Sequence, residues 1–97
     1  MYQNQQQNRN RLDIYRRRMR FSSFHVARLL GHQDTSALSD YERGERLPSL
    51  VNAFRLGIIL RVPVEFLFPV LYDSLRECIR AEEERIAEVT PTQRMLF

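Results

Sequence analysis

Apolar residues recur along the first two thirds of the chain at intervals of three and four, the spacing of one buried face of an α-helix. The sets that predict the first three helices are Leu12, Tyr15 and Met19; Val26, Ala27 and Leu30; and Leu38 and Tyr41. The sets that predict a fourth and a fifth helix are Leu50, Ala53, Phe54, Leu56 and Ile59 or Leu60; and Val64, Phe66, Leu67 and Phe68. No segment alternates with a period of two, so the pattern predicts an all-α fold.

Capping residues and helix breakers mark where these helices begin and end. The residues that suit the N-caps of helices one to four are Asn10, Ser22, Asp34 and Ser49. Pro63 suits the start of the fifth helix, and Gly31 supplies the left-handed residue that ends the second. The third helix is predicted over residues 35–42, after a tight turn. Many small proteins use this arrangement to bring a helix to the DNA major groove.

A longer segment follows Pro69 and carries one narrow apolar seam. Its members are Leu71, Leu75, Ile79 and Ile86, spaced by four, four and seven residues. This spacing predicts a sixth helix over residues 69–89. Residues 1–8 are polar and low in complexity, and we expect disorder there. The chain therefore divides into that N-terminal segment, a helical domain over residues 9–68, the sixth helix, and a tail over residues 90–97.

An ordered set of short motifs runs through the predicted helical domain. The motifs are Phe21-Ser22, Val26-Ala27, Leu29-Leu30-Gly31, Tyr41-Glu42-Arg43-Gly44, Arg46-Leu47-Pro48-Ser49-Leu50, Val62-Pro63-Val64 and Phe66-Leu67-Phe68. With them, residues 12–68 resemble the helix-turn-helix domain of the lambda-repressor-like family, also called the Cro/XRE family of transcription regulators. The resemblance covers more than half of the chain. It implies a five-helix lambda-repressor-like domain, to which this chain adds a C-terminal helix.

The resemblance also implies which residues meet DNA. The third helix becomes the recognition helix, and the candidates for base contacts at its start and along it are Gln33, Thr35, Ser36, Ser39 and Asp40. The phosphate contacts that the resemblance implies are Ser23, Arg43 and Arg46. Serine and threonine make single hydrogen bonds to bases, and an aspartate can accept one from cytosine but repels phosphate. The alternative is that Asp34, Thr35 and Ser36 only form the start of a helix.

The chain departs from the family pattern at a few positions. The turn between Gly31 and Glu42 is one residue longer than the commonest form, which leaves the register of residues 33–36 open by about one position. Arg20 and Arg61 stand where the family often has glycine. His25 stands where a capping-box glutamate is usual. We expect these differences to lower the stability a little without changing the fold.

Charge is distributed unevenly along the chain. All fifteen basic residues are arginine and the formal net charge is +3. Residues 9–28 hold seven arginines against one acidic residue, whereas residues 64–97 hold seven acidic residues against four arginines. A basic front of this kind favours a polyanionic partner. The candidates for a phosphate clamp in this front are Arg16, Arg17, Arg18 and Arg20, the alternative being a solvated helix face. We assign the clamp chiefly to Arg43, Arg46 and part of this cluster.

Several other chemistries find no support in the sequence. Cys78 is the only cysteine, so the chain alone can form neither a disulfide nor a thiolate metal site. His25 and His32 lack the spacing of metal ligands. There is no catalytic triad and no phosphate-cradling glycine loop, and we expect no enzyme activity and no cofactor. The absence of a long apolar run or a secretion leader predicts a cytoplasmic protein without a membrane span.

Three apolar residues, Phe24, Val51 and Ile58, fall at positions that the resembling family leaves polar and exposed. We expect another surface to pack against these three side chains and shield them from water. The seam of Leu71, Leu75, Ile79 and Ile86 suits this purpose, either within the chain or from a second copy. We favour a homodimer, because it also places two recognition helices about 34 Å apart for a two-fold DNA site.

These observations predict a dimeric regulator of transcription that binds double-stranded DNA and represses by occlusion. The third helix contacts bases and the arginines contact the backbone. The alternative is a protein-interaction module on the same scaffold, such as an antitoxin-like partner binder with little base reading. The recognition helix supports that alternative, since it offers no arginine, asparagine or glutamine for paired contacts to a base.

Overall fold

The computed structural model describes residues 9–89, and this part of the chain is all-helical, with no strand. Its helices are α1 (Leu12–Arg18), α2 (Ser23–Leu29), α3 (Ser36–Glu42), α4 (Leu50–Leu60), α5 (Val64–Leu67) and α6 (Pro69–Val89). The prediction of an all-α fold is confirmed. The segments predicted as disordered (1–8) and as a tail (90–97) lie outside the described residues.

One core joins the first five helices. Its buried apolar members are Leu12, Val26, Ala27, Leu30, Leu38, Tyr41, Leu56, Leu60, Leu67 and Phe68. Most of them belong to the predicted apolar sets, because a periodic apolar face has to be shielded from water. No residue of α6 is buried. The fully buried residues therefore all precede α6, which adds the half-buried Leu71 at the edge of the core.

Two residues predicted to lie inside are exposed instead. Leu50 and Phe54 expose 70% and 57% of their surface, and Phe66 in α5 exposes 54%. The helix period explains the two on α4: once Leu56 and Leu60 face the core, side chains at positions 50 and 54 project away from it. The prediction of Leu50 and Phe54 as core residues was wrong.

The serine caps are confirmed. The Ser22 hydroxyl accepts a hydrogen bond from the backbone N–H of His25 at 3.0 Å, and the Ser49 hydroxyl accepts one from Asn52 at 3.1 Å. The start of α1 differs from the prediction, since Arg11 occupies the N-cap position without a side-chain cap. Asn10 still bonds there, because its Oδ1 accepts from the Leu12 N–H at 3.1 Å.

The ends of α1, α2 and α3 share one backbone motif. In each, a residue with positive φ follows the C-cap, and the next N–H donates back to a carbonyl five residues earlier, as in a Schellman motif. The residues with positive φ are Arg20 (61°), Gly31 (85°) and Gly44 (75°). Arg61 at the end of α4 also has a φ of 61°. Arg20 and Arg61, the two positions at which the resemblance led us to expect glycine, are thus both left-handed.

α6 leaves the body of the protein after its first turns. Leu71, Tyr72 and Leu75 line a groove of about 310 Å³ whose other walls include Ala53 and Phe68. Beyond this groove the helix extends from the body. Its 21 residues are about 30 Å long, and they account for much of the 53 Å long axis of the molecule.

Candidate nucleic-acid interface

The turn between α2 and α3 is built on Gly31. The Gly31 N–H donates to the Arg28 carbonyl at 2.9 Å, and the His32 N–H donates to the Ala27 carbonyl at the same distance. A side chain at position 31 meets no atom within 4 Å, so the φ of 85° is what requires glycine here. The chain can therefore leave α2 abruptly and begin α3 a few residues later.

The start of α3 is held by Asp34. Its Oδ1 accepts a hydrogen bond from the Ser36 N–H at 3.0 Å, while Thr35 occupies the N-cap position without a side-chain cap. The pKa of Asp34 lies below its ordinary value, first because of the backbone hydrogen bond from Ser36, then because of the Ser36 hydroxyl and the nearby His32. Asp34 supports the helix start as predicted, although α3 begins at Ser36.

Three of the five predicted base-contact residues share the outer face of α3. Leu38 and Tyr41 are buried, and the helix period then turns Ser36, Ser39 and Asp40 to the opposite side. Ser36 is exposed, whereas Ser39 and Asp40 are half-buried. The remaining two candidates lie before the helix, with Gln33 exposed in the turn and Thr35 half-buried. The outer face of α3 is therefore short, polar and small-sided.

Asp40 is engaged by two of the predicted phosphate contacts. Its Oδ1 accepts from Arg43 Nη2 at 2.8 Å, and its Oδ2 lies 3.8 Å from Arg46 Nη2. Arg43 also donates to Glu45 at 3.1 Å, and Arg46 lies over the Tyr41 ring, 5.6 Å from its centre. Two arginines and two carboxylates thus form one exposed network at the end of α3.

The hydrogen bond between Arg43 and Glu45 stabilises the charged form of both residues. The hydrogen bond to Glu45 raises the pKa of Arg43 above its ordinary value, with further contributions from the charges of Glu45 and Asp40. The same hydrogen bond from Arg43 lowers the pKa of Glu45. A phosphate that approaches Arg43 or Arg46 competes with carboxylates that are already bound.

Arg16 does not lie on the surface with its neighbours. Only 12% of its side chain is exposed, and its Nε donates to Glu42 Oε2 at 2.7 Å. Nη2 donates to Asp13 at 3.0 Å, and Nη1 donates to the Phe21 carbonyl at 3.0 Å. The bond to Glu42 raises the pKa of Arg16 and outweighs the opposing effect of burial. We therefore remove Arg16 from the predicted phosphate clamp, because its guanidinium already joins α1 to α3.

The other clamp residues stay at the surface. Arg17 is 73% exposed and pairs with Asp13 at 2.9 Å, while Arg18 lies over the Tyr15 ring and Arg20 occupies the exposed left-handed position. The contact between Arg16 and Glu42 brings this end of α1 close to the end of α3. Arg17, Arg18 and Arg20 therefore lie in the same region of the molecule as Arg43 and Arg46.

Two further groups lie on α2, one at each end of the helix. Ser23, a predicted phosphate contact, is the first residue of α2 and is half-buried. Arg28 is exposed, lies over the Phe24 ring at 5.7 Å, and was not among the predicted contacts. The signal in the sequence that could have identified Arg28 is its place among the seven arginines of residues 9–28. Arg28 joins the cations near the turn that leads to α3.

The predicted packing residues remain exposed. Phe24, Val51 and Ile58 expose 55%, 58% and 76% of their surface. On α6, Leu71 is half-buried, whereas Leu75, Ile79 and Ile86 are exposed. The alternative in which α6 of the same chain covers Val51 and Ile58 is not what the structure shows.

The described residues were expected to hold no metal site and no membrane span, and the structure bears on both. Among residues 9–89, no group of three histidine, cysteine or acidic side chains comes together to hold a metal ion. None of the helices in this described part is long and apolar enough to cross a membrane. Cys78 is exposed on α6.

Comparison of the chain with protein-family models, with curated proteins and with solved structures finds no match. The assignment of a function therefore depends on the residues of the candidate interface.

Proposed function

We propose that this chain is a DNA-binding regulator of transcription of the helix-turn-helix type, and that it inserts α3 into the major groove. The observation that carries the proposal is the outer face of α3, on which Ser36, Ser39 and Asp40 project away from the core. A short polar helix presented by a tight turn fits the width of the major groove. Repression by occlusion follows most simply, since it requires nothing beyond occupancy of the site.

The same side chains set the character of the recognition. Ser36 and Ser39 make single hydrogen bonds to base edges, so each contributes less discrimination than a bidentate arginine or glutamine. The phosphate backbone is held instead by the exposed arginines, Arg17, Arg18, Arg20 and Arg28. The affinity is therefore strongly dependent on salt, and part of the sequence preference comes from DNA shape.

Under this proposal Asp40 takes one of two alternative roles, and a substitution distinguishes between them. It accepts a hydrogen bond from cytosine, or it holds Arg43 and Arg46 away from the phosphates. If it reads a base, loss of its charge weakens binding to the preferred sequence alone. If it restrains the arginines, loss of its charge strengthens binding to every duplex.

A second candidate function is a protein-interaction module, such as an antitoxin-like partner binder that keeps the same scaffold. The observation in its favour is the outer face of α4, where Leu50, Val51, Phe54 and Ile58 expose between 57% and 76% of their surface. Exposed apolar patches of this kind commonly mark protein interfaces. A partner binder of this type ignores DNA at low salt.

The test begins with selection of bound duplexes from a random pool, followed by fluorescence anisotropy with the enriched and the scrambled duplex. Between about 50 and 200 mM salt we expect the affinity to fall steeply for both duplexes, as counterions are released from the phosphates. The enriched duplex retains the tighter binding. No enrichment, together with no binding at the lowest salt, contradicts the proposal.

Asp40→Asn in the same assay assigns the role of the carboxylate. We expect about a two- to tenfold tighter binding to both duplexes, because Arg43 and Arg46 become available to phosphate. Glu45→Gln is the matched control, since it removes an equal charge next to Arg43 but leaves the outer face of α3 intact. Weaker binding of Asp40→Asn to the enriched duplex alone assigns Asp40 to base reading instead.

A further inference from the structure

One face of α6 has the heptad pattern of a helix that packs against another helix. Apolar residues recur along it at alternating intervals of three and four residues, and one glutamate interrupts them. We call it the heptad face, and its members are Tyr72, Leu75, Ile79, Glu82, Ile86 and Val89. Its apolar members expose between 40% and 70% of their surface. A row of exposed apolar side chains of this kind is typical of an interface.

The heptad face is continuous with the groove at the base of α6. Tyr72 and Leu75 belong to both, and the groove of about 310 Å³ is lined mainly by apolar side chains. Glu65 is the one charged residue that lines the groove. Glu82 is the one charged residue of the heptad face. The charged groups on this apolar surface are therefore both carboxylates.

The rest of α6 adds further negative charge. Its three arginines each bind an acidic residue three positions away on the same helix, in the pairs Arg76–Asp73, Arg80–Glu83 and Arg85–Glu82. The other acidic residues of α6, which have no cationic partner among the described residues, are Glu77, Glu84 and Glu88. Six acidic residues against three arginines give α6 a net charge of −3. Such a helix attracts a basic partner and repels nucleic acid.

Glu82 is charged when another helix approaches it. Arg85 binds its carboxylate, and this hydrogen bond lowers the pKa of Glu82 below its ordinary value. A parallel second copy in register sets Glu82 against the same carboxylate, and like charges repel. The antiparallel pair with the best overlap of apolar residues sets Glu82 against Ile79. Both arrangements take a carboxylate out of water without a cation from the other helix, which is unfavourable.

We propose that the heptad face binds a basic amphipathic helix of another protein, which sets a lysine or arginine against Glu82. Apolar residues of that helix pack on either side of this charged pair, in the helix-in-groove mode of recognition. One end of the helix reaches the groove, where a second cation meets Glu65. A single charged position in an apolar interface fixes the register and selects the partner. The proposal does not depend on DNA binding, and each can fail while the other holds.

Synthetic peptides of the same length as α6 test the choice of partner. Each peptide has apolar residues at heptad spacing and lysines on its flanks. The residue that faces Glu82 is lysine in one peptide and glutamate in the other. We expect the lysine peptide to bind the chain about tenfold tighter in fluorescence anisotropy, because close charge pairs across an interface couple by at least this amount. Equal affinities, or no binding of the lysine peptide at low salt, overturn the proposal.

Reversal of the charge at position 82 is the second test. With Glu82→Lys we expect the glutamate peptide to bind more tightly than the lysine peptide. Glu84→Lys is the matched control, because it makes the same change of net charge on the other side of α6 and leaves the lysine peptide preferred. Circular dichroism should show the same helix content for both variants, since lysine and glutamate are both good helix formers. An unchanged preference in Glu82→Lys contradicts the proposal.

Sedimentation equilibrium distinguishes a partner protein from a second copy of this chain. The wild type is compared with Ile79→Gln combined with Ile86→Gln at about 100 μM, a concentration at which micromolar dimers are populated. We expect the two proteins to have the same mass in solution, because no second copy uses the heptad face. If the wild type alone is heavier, a second copy occupies this face and the proposal is overturned.

Discussion

Four helices of this domain end at a residue with positive φ, and only two of those residues are glycine. Gly31 and Gly44 adopt the left-handed conformation without a clash, but Arg20 and Arg61 have to place a Cβ close to the following carbonyl. This conformation costs a residue with a side chain about 1–2 kcal/mol. The fold accepts the cost because the hydrogen bonds that close the helix ends need this backbone.

Arg61→Gly tests this account of the helix ends. We expect stabilisation by about 1 kcal/mol, because glycine removes the clash while the bond from the Val62 N–H to the Gly57 carbonyl stays in place. A thermal melt should rise by about 4–8 °C for a domain of this size. Gly31→Ala is the opposite control and lowers the stability by a similar amount. An unchanged or lower melting temperature for Arg61→Gly contradicts the account.

Arg16 makes a largely buried ion pair with Glu42 that joins α1 to α3. Removing it leaves Glu42, whose side chain is 14% exposed, without its closest cationic partner. We expect Arg16→Met to lower the free energy of unfolding by about 3 kcal/mol, measured by urea denaturation. Arg17→Met is the matched control, since Arg17 pairs with the same Asp13 but is 73% exposed, and its loss costs at most about 1 kcal/mol. Equal effects of the two substitutions contradict a structural role for Arg16.

At the scale of helices, local signals in the sequence predicted the starts of α2 and α4 and the end of α2, whereas α1 and α3 each begin one residue later than their predicted caps imply. Ser22, Gly31 and Ser49 act through backbone atoms within a few residues, so their roles can be predicted without knowledge of the fold. The inward face of α3 was also predicted, because Leu38 and Tyr41 are its only large apolar residues. The polar outer face that carries the proposed function then follows from the helix period.

Local signals could not predict which face of α4 meets the core, nor could they predict the burial of Arg16. α4 is apolar almost all round, and which of its residues meet the core depends on the angle at which it packs. Leu50 and Phe54 were therefore assigned to the wrong side. Arg16 sits in a run of arginines that is normally solvent-exposed, and its burial requires Glu42, which lies 26 residues later in the chain.

The whole molecule separates its charge and its apolar surface. The body is basic and carries the exposed arginines near α3, while α6 is acidic and carries the apolar seam. Under the proposed function, this separation keeps the acidic helix away from the DNA backbone.

The central claim, that α3 contacts the DNA, is tested most directly by nuclear magnetic resonance on the labelled protein with the enriched duplex. We expect the largest amide shift changes at residues 33–40 and at the start of α2, with smaller changes around Arg17 and Arg18. Residues on the outer face of α4 and beyond Ile79 should shift little. Changes confined to α4 and α6, or no changes at all at low salt, contradict a role for α3 in reading DNA.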